Sequence, residues 1–285
     1  MMNEEKIIDL HTHSNCSDGS MTPRELMLHA KEKGISAIAL TDHDTVTGIE
    51  EAQKYAHELG VEFIPGVEIS TESVSQVHIL GLYIDIHAPS LLELFKKQQE
   101  ERIISNQKYL SLLAENGFPI TEEEVKKIAP HGGVGRAHYA KIMMEHGWVD
   151  SVADAFDKYL GVGMSCYVKR MVIPPEEAID RIHQAGGLAF FAHPYQTKLD
   201  LEGIYDLTRQ LKAAGLDGIE GYYSEYTPEM HETFMNMAND LDLLVSGGSD
   251  YHAEMKPHLE IGVGRGNLRV PYSVLANIKS AHNSK

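Results

Sequence analysis

Short apolar runs of strand length alternate with stretches of helical periodicity from Lys6 to Ile84. The runs Lys6 to His11, Ala37 to Thr41, Glu62 to Glu68 and Val77 to Ile84 predict strands, and the amphipathic stretches between the first three predict helices. Thr22-Pro23-Arg24-Glu25 combines capping-box spacing with proline at the first helical position, and Gly34 stops that helix. A second helix runs from Thr47 to Leu59 and stops at Gly60. Strands and helices in alternation point to an α/β fold with a parallel sheet.

The pattern changes at Ser90, where a long helix opens and runs to Glu115 before Asn116-Gly117 closes it. Three further helices are expected near Thr121 to Ala129, Gly135 to His146 and Ser151 to Leu160, with no strand among them. From Pro174-Pro175 the alternation resumes, with strands at Leu188 to Ala192, Asp217 to Gly221 and Leu243 to Gly247. The simplest architecture is one barrel, residues 1–90 and 174–285, interrupted by an all-helical insertion at 91–173.

Composition narrows the class. A chain of 285 residues with 42% apolar side chains buries a large core. No apolar run approaches the roughly 20 residues that span a bilayer. Met1 to Lys6 leads straight into the first strand, leaving no room for a signal sequence, so the expected location is the cytoplasm. Cys16 and Cys166 are too few for a disulfide framework and read as free thiols. A net charge of -17 argues against an extended nucleic-acid surface, which would need many Lys and Arg contacts to phosphates. A local cationic site remains compatible with it.

Sixteen histidines are the unusual feature, because imidazole suits first-row metals and proton transfer near neutrality. His11 and His13 end the first predicted strand, where residues i and i+2 share a face and can grip one ion. Asp18 follows in a Gly-Ser loop, His43 sits in Thr41-Asp42-His43-Asp44 after the second strand, and Glu68 ends the third. His78 lies in the fourth strand, His193 follows the fifth in Ala192-His193-Pro194, and Asp250 and His252 follow the last in Gly248-Ser249-Asp250-Tyr251-His252. These nine candidates converge if the strands share a carboxyl edge, where barrels gather reactive groups. Six imidazoles with three carboxylates suit Mn, Fe or Zn better than Mg or Ca. Two or three such ions would leave the pocket positive, draw in a phosphate ester and activate a water as hydroxide for attack on phosphorus.

The remaining histidines carry no assigned chemistry. His29, His57, His146, His183 and His231 fall in helices as solvated groups, and His282 falls in a polar tail. Gly132-Gly133-Val134-Gly135 precedes a helix and could cradle a phosphate, although a flexible loop is the plainer reading.

Asp9-Leu10-His11-Thr12-His13-Ser14, Thr41-Asp42-His43-Asp44, Pro65-Gly66-Val67-Glu68, Ala192-His193-Pro194 and Gly248-Ser249-Asp250-Tyr251-His252 resemble, in order, the motifs of the polymerase and histidinol phosphatase (PHP) family. The resemblance implies a distorted seven-stranded (β/α) barrel and a centre of two or three divalent cations, manganese foremost. It implies that His11, His13, Glu68 and Asp250 hold one ion, that Glu68, His78 and His193 hold a second, and that Asp18, His43 and His252 hold a third. The helical insertion, with Gly135-Arg136-Ala137-His138 and Phe156-Asp157-Lys158-Tyr159-Leu160-Gly161, is similar to the cap of the nucleotide phosphoesterase subgroup. That subgroup includes 3',5'-nucleotide bisphosphatases and ribonuclease AM. The resemblance implies removal of a 3'-phosphate from 3',5'-bisphosphonucleotides, or trimming of short RNA from its 5' end.

Within that resemblance, Arg136 is suited to bidentate phosphate binding, His138 to an added hydrogen bond, and Lys198 to a further substrate contact. Asp44, beside a metal histidine, would orient it or relay a proton. The competing enzyme reading is a histidinol-phosphate phosphatase, against which the long insertion speaks. A non-catalytic metal-binding module is the competing reading of another class, and the filled ligand positions speak against that.

Overall fold

The computed structural model describes residues 6–71, 77–128, 134–168 and 173–285. Eight strands join in one sheet: β1 (Ile7–Asp9), β2 (Ala37–Leu40), β3 (Glu62–Ser70), β4 (His78–Leu82), β5 (Leu188–Ala192), β6 (Gly218–Tyr223), β7 (Leu244–Gly248) and β8 (Val270–Pro271), in the order β7-β6-β5-β4-β3-β2-β1-β8. Beyond the end of β1, the Leu10 N–H donates to the Gly247 carbonyl at 3.1 Å, which draws β7 against β1 and nearly closes the barrel. The short β8 pairs antiparallel with Ile7 and Ile8.

The sheet is mixed rather than parallel. β1, β2 and β3 are parallel, as are β5, β6 and β7, but β4 runs antiparallel to both β3 and β5. The cause is the length of the β3–β4 link. A parallel return needs a crossover of about a dozen residues or more, and only 71–77 separate the two strands. The consequence is functional, because His78 opens β4 opposite Ser70 and Ala192, at the same rim as the carboxyl ends of β3 and β5.

Local sequence explains the first helices. In α1 (Pro23–Glu32) the Thr22 side chain accepts from the Glu25 N–H while Glu25 accepts from the Thr22 N–H, and Pro23 fills the first turn. Helix α2 (Ile49–Leu59) ends on Gly60 in the left-handed conformation that only glycine enters freely.

The chain divides into two units, Met1–Glu93 with Val172–Lys285, and Leu94–Met171. Helix α3 (Pro89–Glu115) leads into the second, which continues through α4 (Glu122–Ile128), α5 (Arg136–Glu145) and α6 (Val152–Ala155). Its core gathers Leu113, Tyr139, Met143, Ala155 and Leu160. The expected helix from Ser151 to Leu160 changes character midway, since Phe156–Leu160 form a π turn closed by the Gly161 N–H on the Phe156 carbonyl at 2.8 Å. Ala129, at the predicted end of α4, and Gly132 and Gly133 of the glycine run lie outside the described residues.

In the first unit the chain returns through α7 (Pro175–Gln184), α8 (Leu201–Ala213), α9 (Pro228–Asp240) and α10 (Tyr272–His282). The last corrects the expectation of a polar tail. Val274, Leu275 and Ile278 of α10 pack with Ile8, Leu80 and Phe190 in the barrel core, and His282 stacks on Tyr83. Along β3 one alternating face carries Ile64, Gly66 and Glu68, so the apolar cluster gives way to a carboxylate at the strand's carboxyl end. No helix among the described residues is long and apolar enough to cross a membrane.

Candidate metal centre

Backbone pairing brings the candidate residues to one rim. His43 lies beyond β2 and bridges to Glu68, Thr12 bridges to Tyr251, and the Asp250 N–H donates to the His11 carbonyl at 2.9 Å. Gly248 makes the last approach possible, since a Cβ there would stand 2.4 Å from the His11 nitrogen. Asp44, His193 and Asp250 all have positive φ, at 53°, 30° and 56°. Such conformations persist only where surrounding contacts hold them, and they concentrate at functional sites.

Glu68 is fully buried at the centre. Its Oε1 lies 2.7 Å from His193 Nε2 and 2.8 Å from His78 Nδ1, while Oε2 lies 3.1 Å from His11 Nε2, 3.2 Å from His13 Nε2 and 3.4 Å from His43 Nδ1. Asp250 Oδ1 stands 3.3 Å from His13 Nε2, and Asp18 Oδ1 stands 3.2 Å from His252 Nε2. Donor atoms fall into three groups that could each hold an ion: His11, His13, Glu68 and Asp250; His13, Asp18, His43 and His252; and His43, Glu68 and His78. His193 reaches the cluster through Glu68.

The donor set fits divalent cations on two counts. Ligands bound at about 2.0–2.2 Å around one ion stand about 3 Å apart, which matches the spacing of His11, His13, Glu68 and Asp250. In addition, among the described residues Nδ1 of His193 is buried without a hydrogen-bond partner, an arrangement that costs about 1–3 kcal/mol unless a ligand satisfies it, and the buried nitrogens of His13 and Nδ1 of His43 face carboxylates of the same cluster.

Electrostatics reflect the crowding. Burial opposes the charged form of Glu68, yet the imidazoles of His43, His11, His78 and His193 hold its pKa well below the usual range. Burial likewise opposes ionised Asp250 and Asp18, and their neighbours outweigh it, Lys256 and His252 for Asp250 and His252 and His43 for Asp18, holding both well below the usual range. His13 is raised to about 9 because Asp250 and Glu68 outweigh its burial, whereas burial wins at His43 and lowers it to about 4.

The other candidates belong to none of the three groups. Asp44 is buried, accepts the Ser70 N–H at 2.9 Å and donates its own N–H to the Glu68 carbonyl. Lys198 is exposed at the end of the 3-10 turn Pro194–Thr197 that follows His193. In the second unit, the Arg136 guanidinium sits 5.6 Å from the ring centroids of both Phe156 and Tyr167 and donates to the Leu160 carbonyl at 3.4 Å. His138 is buried, and its Nδ1 accepts the Gly135 N–H at 3.0 Å, which caps α5.

Four residues that sequence reasoning passed over also touch the cluster. Asp9 is buried and accepts the N–H groups of His11, Ser249 and Gly262, tying β1 to the loop after β7. Asp250 Oδ2 receives the Tyr223 hydroxyl at 2.9 Å and the Lys256 ammonium at 2.6 Å. Glu220 contacts His11 and the His193 backbone. A carboxylate inside an apolar strand was a legible signal for Asp9 and Glu220, since such residues are almost never buried without partners. Lys256 and Tyr223 gave none.

A family model, the PHP domain, matches residues 9–239. The chain is 38% identical over 248 residues to a 5'-3' exoribonuclease of Haemophilus influenzae, covering 87% of this chain and 90% of that protein. It is 33% identical over 257 residues to a 3',5'-nucleoside bisphosphate phosphatase of Chromobacterium violaceum, covering 90% of each. A solved structure of an amidohydrolase from Chromobacterium violaceum, with bound sulfate and no metal, matches with a TM-score of 0.84 at 30% identity over 96% of both chains.

Proposed function

The chain belongs to the PHP domain family of metal-dependent phosphoesterases, and from that premise we propose that it removes the 3'-phosphate of 3',5'-bisphosphonucleotides and trims short RNA in the 5' to 3' direction. The observation that carries the chemistry is the cluster around Glu68, where buried imidazole nitrogens and carboxylate oxygens converge in three groups. The substrate class rests on similarity along most of the chain to an exoribonuclease and a nucleoside bisphosphatase. Both reactions need one scissile phosphoester at the metal centre and a second phosphate held apart from it.

Each residue then has a task. His11, His13, Glu68 and Asp250 hold one ion, Glu68, His78 and His193 a second, and Asp18, His43 and His252 a third. Manganese is the proposed metal, and iron or zinc suits the same donors. Bound ions of this kind supply an activated water and offset charge on the phosphoryl oxygens. Asp44, fixed by the Ser70 N–H, relays a proton at the rim. The Lys256 ammonium has three N–H donors, spends one on Asp250 and offers the others to a phosphoryl oxygen. Arg136 and His138 of the helical unit are assigned to binding a substrate phosphate, and Lys198 to a further substrate contact. Substrates are short, in keeping with the acidic chain, and the site of action is the cytoplasm.

A panel assay with added Mn tests this reading, comparing 3',5'-bisphosphonucleotides, 5'-phosphorylated short RNA, nucleoside monophosphates and histidinol phosphate. Fastest phosphate release from the bisphosphonucleotides supports it. A preference for histidinol phosphate overturns the substrate assignment while leaving the metal chemistry in place.

A further inference from the structure

Glu220, the third residue of β6, belongs to none of the three donor groups, yet it lies fully buried directly against two of the proposed ligands. Its Oε1 is 3.0 Å from His11 Nδ1, and its Oε2 accepts the backbone N–H of His193 at 2.7 Å. One carboxylate therefore engages the ring of a ligand at the end of β1 and the main chain of another at the end of β5.

Both contacts constrain the centre. A neutral imidazole carries a proton on one nitrogen and a lone pair on the other. With Glu220 Oε1 accepting the Nδ1 proton of His11, the lone pair on Nε2 is the one left for ligation. That Nε2 faces Glu68 Oε2 at 3.1 Å and Asp250 Oδ1 at 3.7 Å, on the side where an ion is to be held. At His193 the constraint is on the backbone. Its φ of 30° and ψ of 60° are left-handed, and the residue before a proline is ordinarily extended. The bond from its N–H to Glu220 ties down that disfavoured conformation while His193 Nε2 meets Glu68.

We propose that Glu220 is the positioning residue that holds the Nδ1 proton of His11 when that ring is a ligand and pins the backbone of His193, so that Nε2 of each ligand faces the Glu68 side of the centre. The inference rests on the metal-centre reading. Neighbouring carboxylates of this type typically govern metal affinity by about 10–100-fold.

Glutamine is the informative replacement, because it keeps the volume but offers one acceptor and one NH2 donor where two acceptors are needed. If the donor faces His11 Nδ1, the ring proton moves to Nε2 and blocks ligation. If the donor faces His193, the main-chain bond is lost. Glu220→Asp keeps both acceptors on a shorter arm.

The test is zinc binding to the metal-stripped full chain, with the Nδ1–H resonance of His11 followed by nitrogen-edited NMR in the zinc-loaded protein. Wild-type protein should bind zinc and show an exchange-protected Nδ1–H. Glu220→Gln should lose about 10–100-fold in zinc affinity together with that resonance, and Glu220→Asp should retain the resonance and recover part of the affinity. Zinc affinity and an Nδ1–H signal unchanged in Glu220→Gln, even with lowered thermal stability, would overturn the proposal alone. Failure of the wild-type chain to bind zinc would overturn it together with the metal centre.

Discussion

Glu68 Oε1 lies 2.7 Å from His193 Nε2, joining the carboxyl end of β3 to the residue after β5 across 125 positions of sequence. Glu68 also meets His11, His13, His43 and His78 directly, and His13 in turn contacts Asp18, Asp250 and the ring of His252. Glu68→Gln should therefore lower metal affinity and phosphate release by more than about 100-fold, exceeding the effect of changing an outer partner. Metal analysis of the purified variant beside wild-type protein, with activity measured in parallel, checks this. Wild-type metal content with unimpaired turnover would remove Glu68 from the centre.

Protons and metals compete for the same imidazoles. His13 is held to about 9 in the metal-free fold by Asp250 and Glu68 against its burial, and an imidazole must be neutral to ligate. Metal binding near pH 7.5 should release protons, and affinity should climb as pH rises toward 9. The same raised value gives the metal-free fold a stabilising contribution that is complete below about 6.5 and is lost as pH rises through 9. The two trends have opposite signs. Calorimetric titration in buffers of different ionisation enthalpy measures the released protons, and a value of zero would contradict the assignment.

Lys256 divides its work between Asp250 and the proposed substrate. Burial opposes its charge, but the Asp250 carboxylate raises its pKa, so it stays cationic at neutral pH. Lys256→Met should raise KM by about 10–100-fold, the equivalent of a lost hydrogen bond to a charged group. Saturating metal should leave that increase in place. A normal KM with impaired metal retention would assign Lys256 to Asp250 alone.

Arg136 should affect substrate without affecting metal. Its guanidinium lies by the rings of Phe156 and Tyr167 and donates to the Leu160 carbonyl. Arg136→Ala should weaken binding of bisphosphonucleotides by about 10-fold or more, with metal stoichiometry unchanged. Loss of metal from this variant would show that the role is wrong.

Gly248 tests the closure of the barrel. A Cβ would stand 2.5 Å from the Cβ of His11 and 2.8 Å from Asp9 Oδ1, so Gly248→Ala should cost about 1–3 kcal/mol of stability through overpacking. Denaturant unfolding of the metal-free protein gives the number. An unchanged midpoint would mean that β1 and β7 are not held as closely as described.

Much of this arrangement was legible because most of the proposed ligands follow an apolar run and thus a strand end. His11 with His13, His43, Glu68, His193 and Asp250 are all of that kind. His78 was placed in a strand, but its presence at the rim depends on the reversed direction of β4, a fact that resides in the short link rather than in periodicity. The helix α10 was legible in the helical spacing of Val274, Leu275 and Ile278 but was passed over for the polar residues that follow, and its packing partners lie far off in sequence in the barrel core. Lys256 lies in a loop, where its nearness to Asp250 is set by chain geometry that no local pattern encodes.

The most direct measurement is phosphate release from a 3',5'-bisphosphonucleotide as manganese is returned to metal-stripped protein. The account predicts no release without metal, recovery that saturates as the donor groups fill, and a 5'-monophosphate as the nucleotide product. Release that persists in fully stripped protein, or a product that keeps its 3'-phosphate, would contradict it.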